Sequence, residues 1–451
     1  MTKADIAVLG AGFSATAVVV NLLEYLHPER TIAVVGCQNG FGRGVAYATD
    51  DDAHRLNVPA GRMSLFADRP NDLIDWLARR GDAYGSDDFI PRRLFGAYVS
   101  DTLGQGIQRT DNRARVRFID AQALRCHALE AERQIFELTN ADVIEVGKSV
   151  LCLGGTAAGL PVVQGGVDAA VRDLVVENPW TCGWMDGLDI DAPVFIVGAG
   201  LTAVDQLVSL RKRGHAGPIH MLSRHALMPH AHVVPRSAAI ESPISPGGKL
   251  SEMLNALRVA AARSEDWRSV VDGLRPVTQS LWQSMSIDER RRFLRHASGW
   301  WNIHRHRMAP DIAGVLDSMR ASGQLVVHKG WLERVVREGQ NAAVIYKDRH
   351  SRTSRRIAAQ RVVNCTGMEK CSVARVPLLQ DMLDKAFIRQ DPLGLGLAVD
   401  EQSRIQSGAG MLDTGAYAMG PMTVGQFWEI FAVPDIRVQA RDVAQRVATA
   451  A

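Results

Sequence analysis

Residues 4–12 read ADIAVLGAG, and residues 193–203 read PVFIVGAGLTA. In the first, Ile6, Ala7, Val8 and Leu9 form a short continuous apolar run that stops at a glycine turn. Such a run is the mark of a strand buried on both faces of a parallel sheet. Gly10, Gly12 and Ala15 then spell G-x-G-x-x-A, and a helical segment follows with Ala17, Val18, Val20, Leu22 and Leu23 on its apolar face. The first glycine permits the tight turn, the second lets a pyrophosphate touch backbone, and the small alanine lets helix pack on strand. The helix N-terminus then faces the anion. Gly198, Gly200 and Ala203 repeat the device at the same spacing. One such motif alone is weak; a strand before it and a helix after it make it specific.

Two cradles in one chain imply two dinucleotides, FAD at the first and NAD(P)H at the second. Duplication of a single cofactor domain is the bland alternative, and the unlike sequences between the cradles disfavour it. GKSVLCLGG (147–155) and QRVVNCTGM (360–368) add two strands ending in glycine, at Gly154 and Gly367, where a chain returns beside a dinucleotide domain. The second strand of each unit should end near the ribose. In the first unit TIAVVG (31–36) ends in Gly36, so no carboxylate is available and the hydroxyls fall to Cys37, Gln38 or backbone. In the second, PIHMLSR (218–224) ends in Ser223 and Arg224, a hydroxyl and a guanidinium suited to a 2′-phosphate. That favours NADPH, with NADH as the lesser choice; a plain surface arginine is the alternative.

The chain order gives an α/β fold of two Rossmann-like dinucleotide-binding domains. An FAD domain (1–185 and 346–451) is interrupted by an NAD(P)H domain (190–345) that carries a helical extension at about 249–322. Within the extension, residues 250–274 place apolar side chains at three- and four-residue steps, as an amphipathic helix requires. The length of 451 residues is a prior of about three structural units. Hydrophobic residues at 46% and charged residues at 22% are ordinary globular usage, which excludes disordered and fibrous classes. Glycine numbers 40, about 9% against a usual ~7%, without a G-X-Y period. Mean hydropathy of -0.06 and the lack of a long apolar run argue against a membrane span.

Six single cysteines with no C-x-x-C pair, behind an N-terminus that does not read as a signal peptide, point to reduced thiols and the cytoplasm. Only eight of the 52 basic residues are lysine. Arginines cluster from Arg290 to Arg307, but Asp288 and Glu289 precede them, Trp300, Trp301 and Ile303 interrupt them, and the formal charge is only +3. A nucleic-acid footprint is therefore not expected.

Several long stretches resemble bacterial FAD/NAD(P)-binding proteins distantly related to flavin monooxygenases. They are GFGRGVAYATDDDAHRLNVPAGRMSLFADRPNDLIDWL (40–77), FIPRRLFGAYVSDTL (89–103), DWRSVVDGLRPVTQSLWQSM (266–285) with FLRHASGWWNIHRHRMAP (293–310), DPLGLGLAVD (391–400), and AMGPMTVGQFWEIFAVPDIRVQA (418–440). The resemblance spans essentially the whole chain and implies a two-dinucleotide flavoprotein. Flavin-dependent urate hydroxylases form one branch of the family, and N-hydroxylating monooxygenases are more distant relatives. The family usually has an acidic residue where this chain has Gly36.

Within those stretches Gly40, Gly42 and Gly44 around Arg43 form a second glycine loop suited to the FAD pyrophosphate, with Arg43 neutralising its charge. Asn57 carries a donor and an acceptor for a flavin edge or a substrate. Pro59 and Met63 read equally as flavin contacts or as core. Gly420 to Thr423 lead into an apolar helix from Gln426, whose N-terminus could stabilise reduced flavin through Thr423 and Gly425, or which Thr423 could simply cap. His225, His230 and Arg236 are expected near the NADPH phosphate or a substrate carboxylate. No His-x-His pair comes with a further ligand at metal spacing, so no metal is assigned. Arg305 and Arg307 read two ways: as a salt-bridge lattice holding the insert to the FAD domain, or as an anion site with Trp300 or Trp301 stacking on the substrate.

The resulting expectation is an NAD(P)H-dependent flavin monooxygenase acting on a small-molecule substrate and O2 through a flavin C4a-hydroperoxide. The substrate is small and polar, urate-like or otherwise nitrogen-containing, and Asn57, Arg305 and Arg307 are its candidate catalytic residues. Two rivals stand beside it: a flavin dehydrogenase or reductase without oxygenation, and a non-catalytic FAD-binding redox sensor. The second cradle argues against the sensor.

Overall fold

The computed structural model describes the chain except for residues 37–40, 110–111, 156–157, 164, 181–182, 368–371, 409–413 and 450–451. Its strands, in chain order, begin with β1 (Thr2–Leu9), β2 (Ile32–Val35), β3 (Val116–Ile119), β4 (Ala123–Glu130), β5 (Arg133–Leu138) and β6 (Val143–Leu151). There follow β7 (Val175–Val176), β8 (Val194–Val197), β9 (Ile219–Ser223), β10 (Leu325–Glu338), β11 (Asn341–Asp348), β12 (Ser354–Ala359), β13 (Arg361–Asn364) and β14 (Ala416–Ala418). The apolar runs ahead of both glycine turns are buried strands, Ile6–Leu9 in β1 and the whole of β8.

Two sheets result. The first runs β3-β2-β1-β6 in parallel, with β14 parallel to the end of β6 and the antiparallel pair β5-β4 beyond its beginning. The second runs β10-β9-β8-β13-β7 in parallel, with β11 and β12 antiparallel beyond β10. This is the α/β class read from the sequence, with a dinucleotide-binding sheet for each glycine cradle. The second sheet draws strands from Val175 to Asn364, wider at both ends than the 190–345 insert expected. The reason is pairing: β13 fills the slot beside β8, Arg361 opposite Val194 through Asn364 opposite Val197, so the chain rejoins the first sheet only at β14.

The helical extension departs from expectation in two ways. Residues 250–274 form two helices, Leu250–Arg263 and Trp267–Gly273, because Asp266 is extended and its carboxylate accepts from the Arg268 amide at 3.0 Å. An N-cap of that kind starts a new helix. The helices Thr278–Ser284 and Ile287–His296 rest on the first unit rather than on the insert: Trp282 and Phe293 join the core around Val18, Val19 and Val443. Pro310–Ala321, by contrast, buries Ile312, Leu316 and Met319 against the second unit. The helix expected from Gln426 begins at Val433. Before it Glu429 takes a left-handed φ of 72° and turns its carboxylate into the protein, where Trp301 Nε1 donates to it at 2.7 Å. Among the described residues no helix is long and apolar enough to cross a membrane.

The two units meet on one stripe of the helix Leu201–Lys212. Arg92 Nη2 lies 2.8 Å from Asp205 Oδ2, and Arg92 Nε donates to the Arg55 carbonyl. One turn on, Ser209 Oγ donates to Asp51 Oδ2 at 2.7 Å and lies 2.8 Å from His54 Nε2; a further turn on, Lys212 Nζ donates to Asp51. Because Ser209 gives its proton to Asp51, His54 Nε2–H donates to Ser209 while Nδ1 accepts from Thr49. Burial lowers the His54 pKa, which keeps that ring neutral.

Asp205→Asn should cost about 3–5 kcal/mol, because it leaves the Arg92 guanidinium uncompensated in a buried site. Lys212→Ala, whose ammonium is largely in water, should cost less than about 1 kcal/mol. Urea unfolding curves of the two variants check both, and equal losses would contradict the assignment.

Candidate functional site

The first cradle is held open by backbone crossing. Gly10 has φ +135°, and a Cβ placed there would lie 2.4 Å from the Cys152 carbonyl oxygen at the end of β6. Only glycine fits so close an approach in that conformation. Gly12 caps the helix Phe13–Tyr25 with no side-chain hydrogen bond and no acidic residue in the first turn, so the leading amides are unclaimed. Ala15 is buried where this helix meets the sheet. The second glycine loop closes on the first: Gly42 N donates to the Ala11 carbonyl at 2.9 Å, and Gly44, at φ +60°, backs onto Gly12. Gly154, just past β6, faces open space, with nothing within 4 Å of an added Cβ. These features fit a dinucleotide pyrophosphate.

Gly36 has its own cause. A Cβ there would sit 2.5 Å from the Ala11 Cβ, so the turn leaves no room for the acidic residue usual at this point. Cys37, Gln38 and Gly40 lie outside the described residues. Arg43 donates through its Nε to Ser100 Oγ at 3.3 Å on the helix Arg92–Gln108, beside Gly42 of the loop. Gly420, φ +74°, packs its backbone on Ser14, while Thr423 is fully buried, donates to the Gly420 carbonyl and accepts from Gln439 Nε2 at 3.2 Å; with the helix beginning only at Val433, Thr423 does not cap it. Met63 and Pro59 are buried, Met63 within the main core.

The second cradle repeats the plan. Gly198, φ +110°, would place a Cβ 2.2 Å from the Cys365 carbonyl at the end of β13, and Gly200 caps the helix Leu201–Lys212 with its own Cβ space open. Ala203 is fully buried, and Gly367, φ +92°, is open like Gly154. β9 delivers Ser223 with its hydroxyl buried and unbonded, and Arg224 follows it on the surface. The sequence reading missed two neighbours. Lys329 stands opposite Ser223 in the β9–β10 register, and Arg349, on the β11–β12 hairpin, donates to the Arg224 carbonyl at 3.1 Å and lies 2.9 Å from His225 Nδ1. The basic run RHSRTSRR (349–356) was the available signal. An unsatisfied hydroxyl among three cations suits a phosphate monoester.

Asn57 lies half-buried between the units. Its carbonyl accepts from His232 Nε2 at 3.0 Å, while its side-chain amide bonds to no described residue. His232 is 7% exposed, packs on Phe89, and is held down to a pKa of about 4, by burial first and then by the charge of Arg307. Arg305 and Arg307 are not the free anion ligands that one reading made them. Arg305 Nε faces Glu429 Oε2 at 3.6 Å beside His306 at 3.2 Å, and Arg307 is in close contact with Asp272, which Arg236 also approaches at 3.3 Å. Each buried guanidinium needs its carboxylate, so both belong to the lattice that docks the extension. Trp301 is spent on Glu429 and Trp300 points to solvent. His230 packs against Trp267 and His304, with ring centroids 5.1 Å and 4.7 Å away, and not at the second cradle.

Residues 7–156 match the protein-family model described as FAD-NAD(P)-binding. No curated protein sequence matches the chain. Among solved structures, the ornithine N-hydroxylase of Kutzneria sp. 744, with reduced FAD, NADP+ and L-ornithine, shares the fold at TM-score 0.69 and 14% identity over 99% of both chains. The ornithine hydroxylase of Pseudomonas aeruginosa gives 0.65 and 17% over 100% of both chains. The L-lysine 6-monooxygenase of Pseudomonas syringae gives 0.63 and 16% over 99% of both. The chain is therefore a two-sheet α/β protein of dinucleotide-binding fold along its whole length.

His232 generates a pH prediction. Its folded pKa, about 4, lies below the unfolded value near 6.5, so the unfolded chain binds the proton first as pH falls. The stabilising effect is complete above pH ~6.5 and is lost down to pH ~4, on the order of 3 kcal/mol. His232→Gln keeps a donor for Asn57 but cannot titrate, so its urea midpoint should fall less steeply between pH 7 and 4.5 than that of the parent.

Proposed function

We propose that this protein is an FAD-dependent, NADPH-consuming monooxygenase that hydroxylates a small polar substrate. The observation that carries the reading is the pair of matched cradles: two helix N-termini with unclaimed amides, each beside a glycine whose side chain would strike a strand carbonyl. When bound, FAD supplies hydride acceptance from NADPH and activation of oxygen.

The protein's own residues bind, orient and shelter. Gly10, Gly12 and the helix from Phe13 hold the FAD pyrophosphate, with Gly42 and Gly44 closing over it. Gly198, Gly200 and the helix from Leu201 do the same for NADPH, and Ser223, Arg224, Lys329 and Arg349 hold its 2′-phosphate. The free Asn57 amide offers one donor pair and one acceptor to the reacting ring or substrate, and the His232 hydrogen bond fixes its backbone. The buried Arg92–Asp205 and His54–Ser209 contacts keep the two cofactor sites in one relative placement and exclude water between them. No protein nucleophile is required.

The neighbours named above act on ornithine and lysine; for this chain urate and these amines are trial substrates of equal standing. Purified protein should show a flavin spectrum, and NADPH should bleach it. A matching substrate should replace released hydrogen peroxide by hydroxylated product. Protein that cannot be loaded with FAD overturns the reading, and persistent NADPH oxidation with no hydroxylated product from any substrate moves it to a reductase. Arg224→Ala and Arg349→Ala should each weaken NADPH binding about tenfold and leave NADH within about twofold, read by fluorescence titration. Equal losses for both nucleotides would remove the 2′-phosphate assignment.

A further inference from the structure

Where the extension meets the first unit, six guanidiniums (Arg62, Arg236, Arg275, Arg305, Arg307 and Arg437) surround three carboxylates, Asp272, Glu429 and Asp435. Two of the three carboxylates are shared out already. Asp272 serves Arg307 and Arg236, and Glu429 serves Arg305, His306 and the Trp301 indole. Asp435 lies beside Arg275, Arg305 and Arg437 without reaching any of them in a salt bridge, its Oδ2 is buried and unbonded, and burial raises its pKa. The side chains of Arg62 and Arg275 make no hydrogen bond or salt bridge with any described residue. Asp87 gives Arg62 only the weakest of the charges felt there, and Arg268 is occupied by Asp266.

The orphans lie inside as well as at the rim. Arg275 Nη2 is buried without a hydrogen bond, and so are Nε of Arg305 and of Arg307, residues 8% and 3% exposed whose salt bridges run to Glu429 and Asp272. Burial first, and then the charges of Arg236 and Arg305 at Arg62 and of Arg305 and Arg62 at Arg275, disfavour the charged form of both, offset only in part by Asp272 and, at Arg275, by Asp435. A guanidinium nevertheless stays protonated, so the cluster carries an uncompensated positive charge in a partly desolvated place. Such an arrangement is costly unless an anion completes it.

The cluster also lies close to Asn57, whose side-chain amide bonds to no described residue. Arg62 ends the short turn Ala60–Arg62 that follows Asn57, and His232, which holds the Asn57 carbonyl, feels the charges of Arg307, Asp272 and Arg236. None of these arginines belongs to either glycine cradle or to the Ser223–Arg224 corner. We infer that Arg62 and Arg275, with Arg236 beside them, bind the substrate, and that it is a small organic acid carrying at least two carboxylates. Binding of this acid follows from the cluster itself; its hydroxylation rests on the monooxygenase reading. A diamine or basic amino acid of the kind the structural neighbours are named for is repelled by the same charges.

The test is isothermal titration of FAD-loaded protein with citrate, inorganic phosphate, L-ornithine and NADP+, at low and high salt. Citrate should bind, more weakly at high salt, and L-ornithine should not. Arg62→Gln, which breaks no side-chain hydrogen bond or salt bridge with described residues, and Arg275→Lys, which keeps the charge beside Asp435 but loses the planar fork, should each weaken citrate about tenfold. NADP+ affinity should stay within about twofold in both. L-ornithine binding in place of citrate overturns the inference, and so does citrate binding that both variants retain. Equal binding of phosphate and citrate, both lost in Arg224→Ala, moves the anion to the nucleotide corner and overturns it too. Protein that takes up FAD and oxidises NADPH but ignores citrate keeps the monooxygenase reading and loses this one. Protein that binds citrate through Arg62 yet never takes up FAD does the reverse.

Discussion

Asp205 is buried, and its carboxylate meets the Arg92 guanidinium across the boundary between the two sheets. Burying two charges brings little net stability, but unpairing one of them is expensive. The pair therefore acts as a register pin. It fixes where the helix Leu201–Lys212 can sit, and the N-terminus of that helix is the second cradle. Asp205, Ser209 and Lys212 stand at i, i+4 and i+7, so all three face the first unit along one stripe. The helix that opens the second cradle thus also carries a polar face with a structural task. His54, kept neutral by burial, fits between Thr49 and Ser209 without adding a charge.

From that pin the two cradles follow one construction. β1 and β8 end in glycines that lie against the carbonyls of Cys152 and Cys365, and the amides of those cysteines donate back to Leu9 and Val197 at 2.8 Å and 2.7 Å. Gly10 and Gly198 in turn donate to the ends of β2 and β9. Each cradle is thus the meeting point of three parallel strands. Burial pushes both thiols far above the ordinary cysteine range, which makes them packing groups and not redox centres.

Local chemistry was legible and distant pairing was not. Gly10, Gly12, Gly198 and Gly200 could be read because turn, strand and helix are neighbours in sequence. The extent of the second sheet could not, because β13 finds its place by pairing with β8, some 165 residues earlier in the chain. The absence of an acid at position 36 was visible, but its cause is Ala11, which only the fold brings to it. Arg349 and Lys329 reach the Ser223 corner from other strands, so no spacing rule connects them to it. For Arg305 and Arg307 the sequence left two readings open. Glu429 and Asp272 decide between them, and neither stands at a helical spacing from its arginine.

The same docking explains why the unpaired charge lies where it does. Trp282 donates to the Gly425 carbonyl at 2.8 Å and stacks on Trp428, so the extension is anchored to the segment just ahead of the C-terminal helix. That anchoring brings Asp272 and Arg275 from the extension against Arg62 from the first unit and Asp435 from the C-terminal helix. No one of these elements holds the cluster alone. Glu429 stays ionised, with a pKa of about 2, because His306 and Arg305 outweigh the burial that would raise it. Its charge is spent on the docking contact, and Asp272 is divided between two guanidiniums. Two carboxylates are thus committed to the junction, Asp435 lies near Arg275 without a salt bridge, and Arg62 and Arg275 are cations left without one, close in the fold to Asn57. A charge imbalance produced by docking, and placed beside the proposed site of chemistry, makes substrate selection depend on the extension being in place.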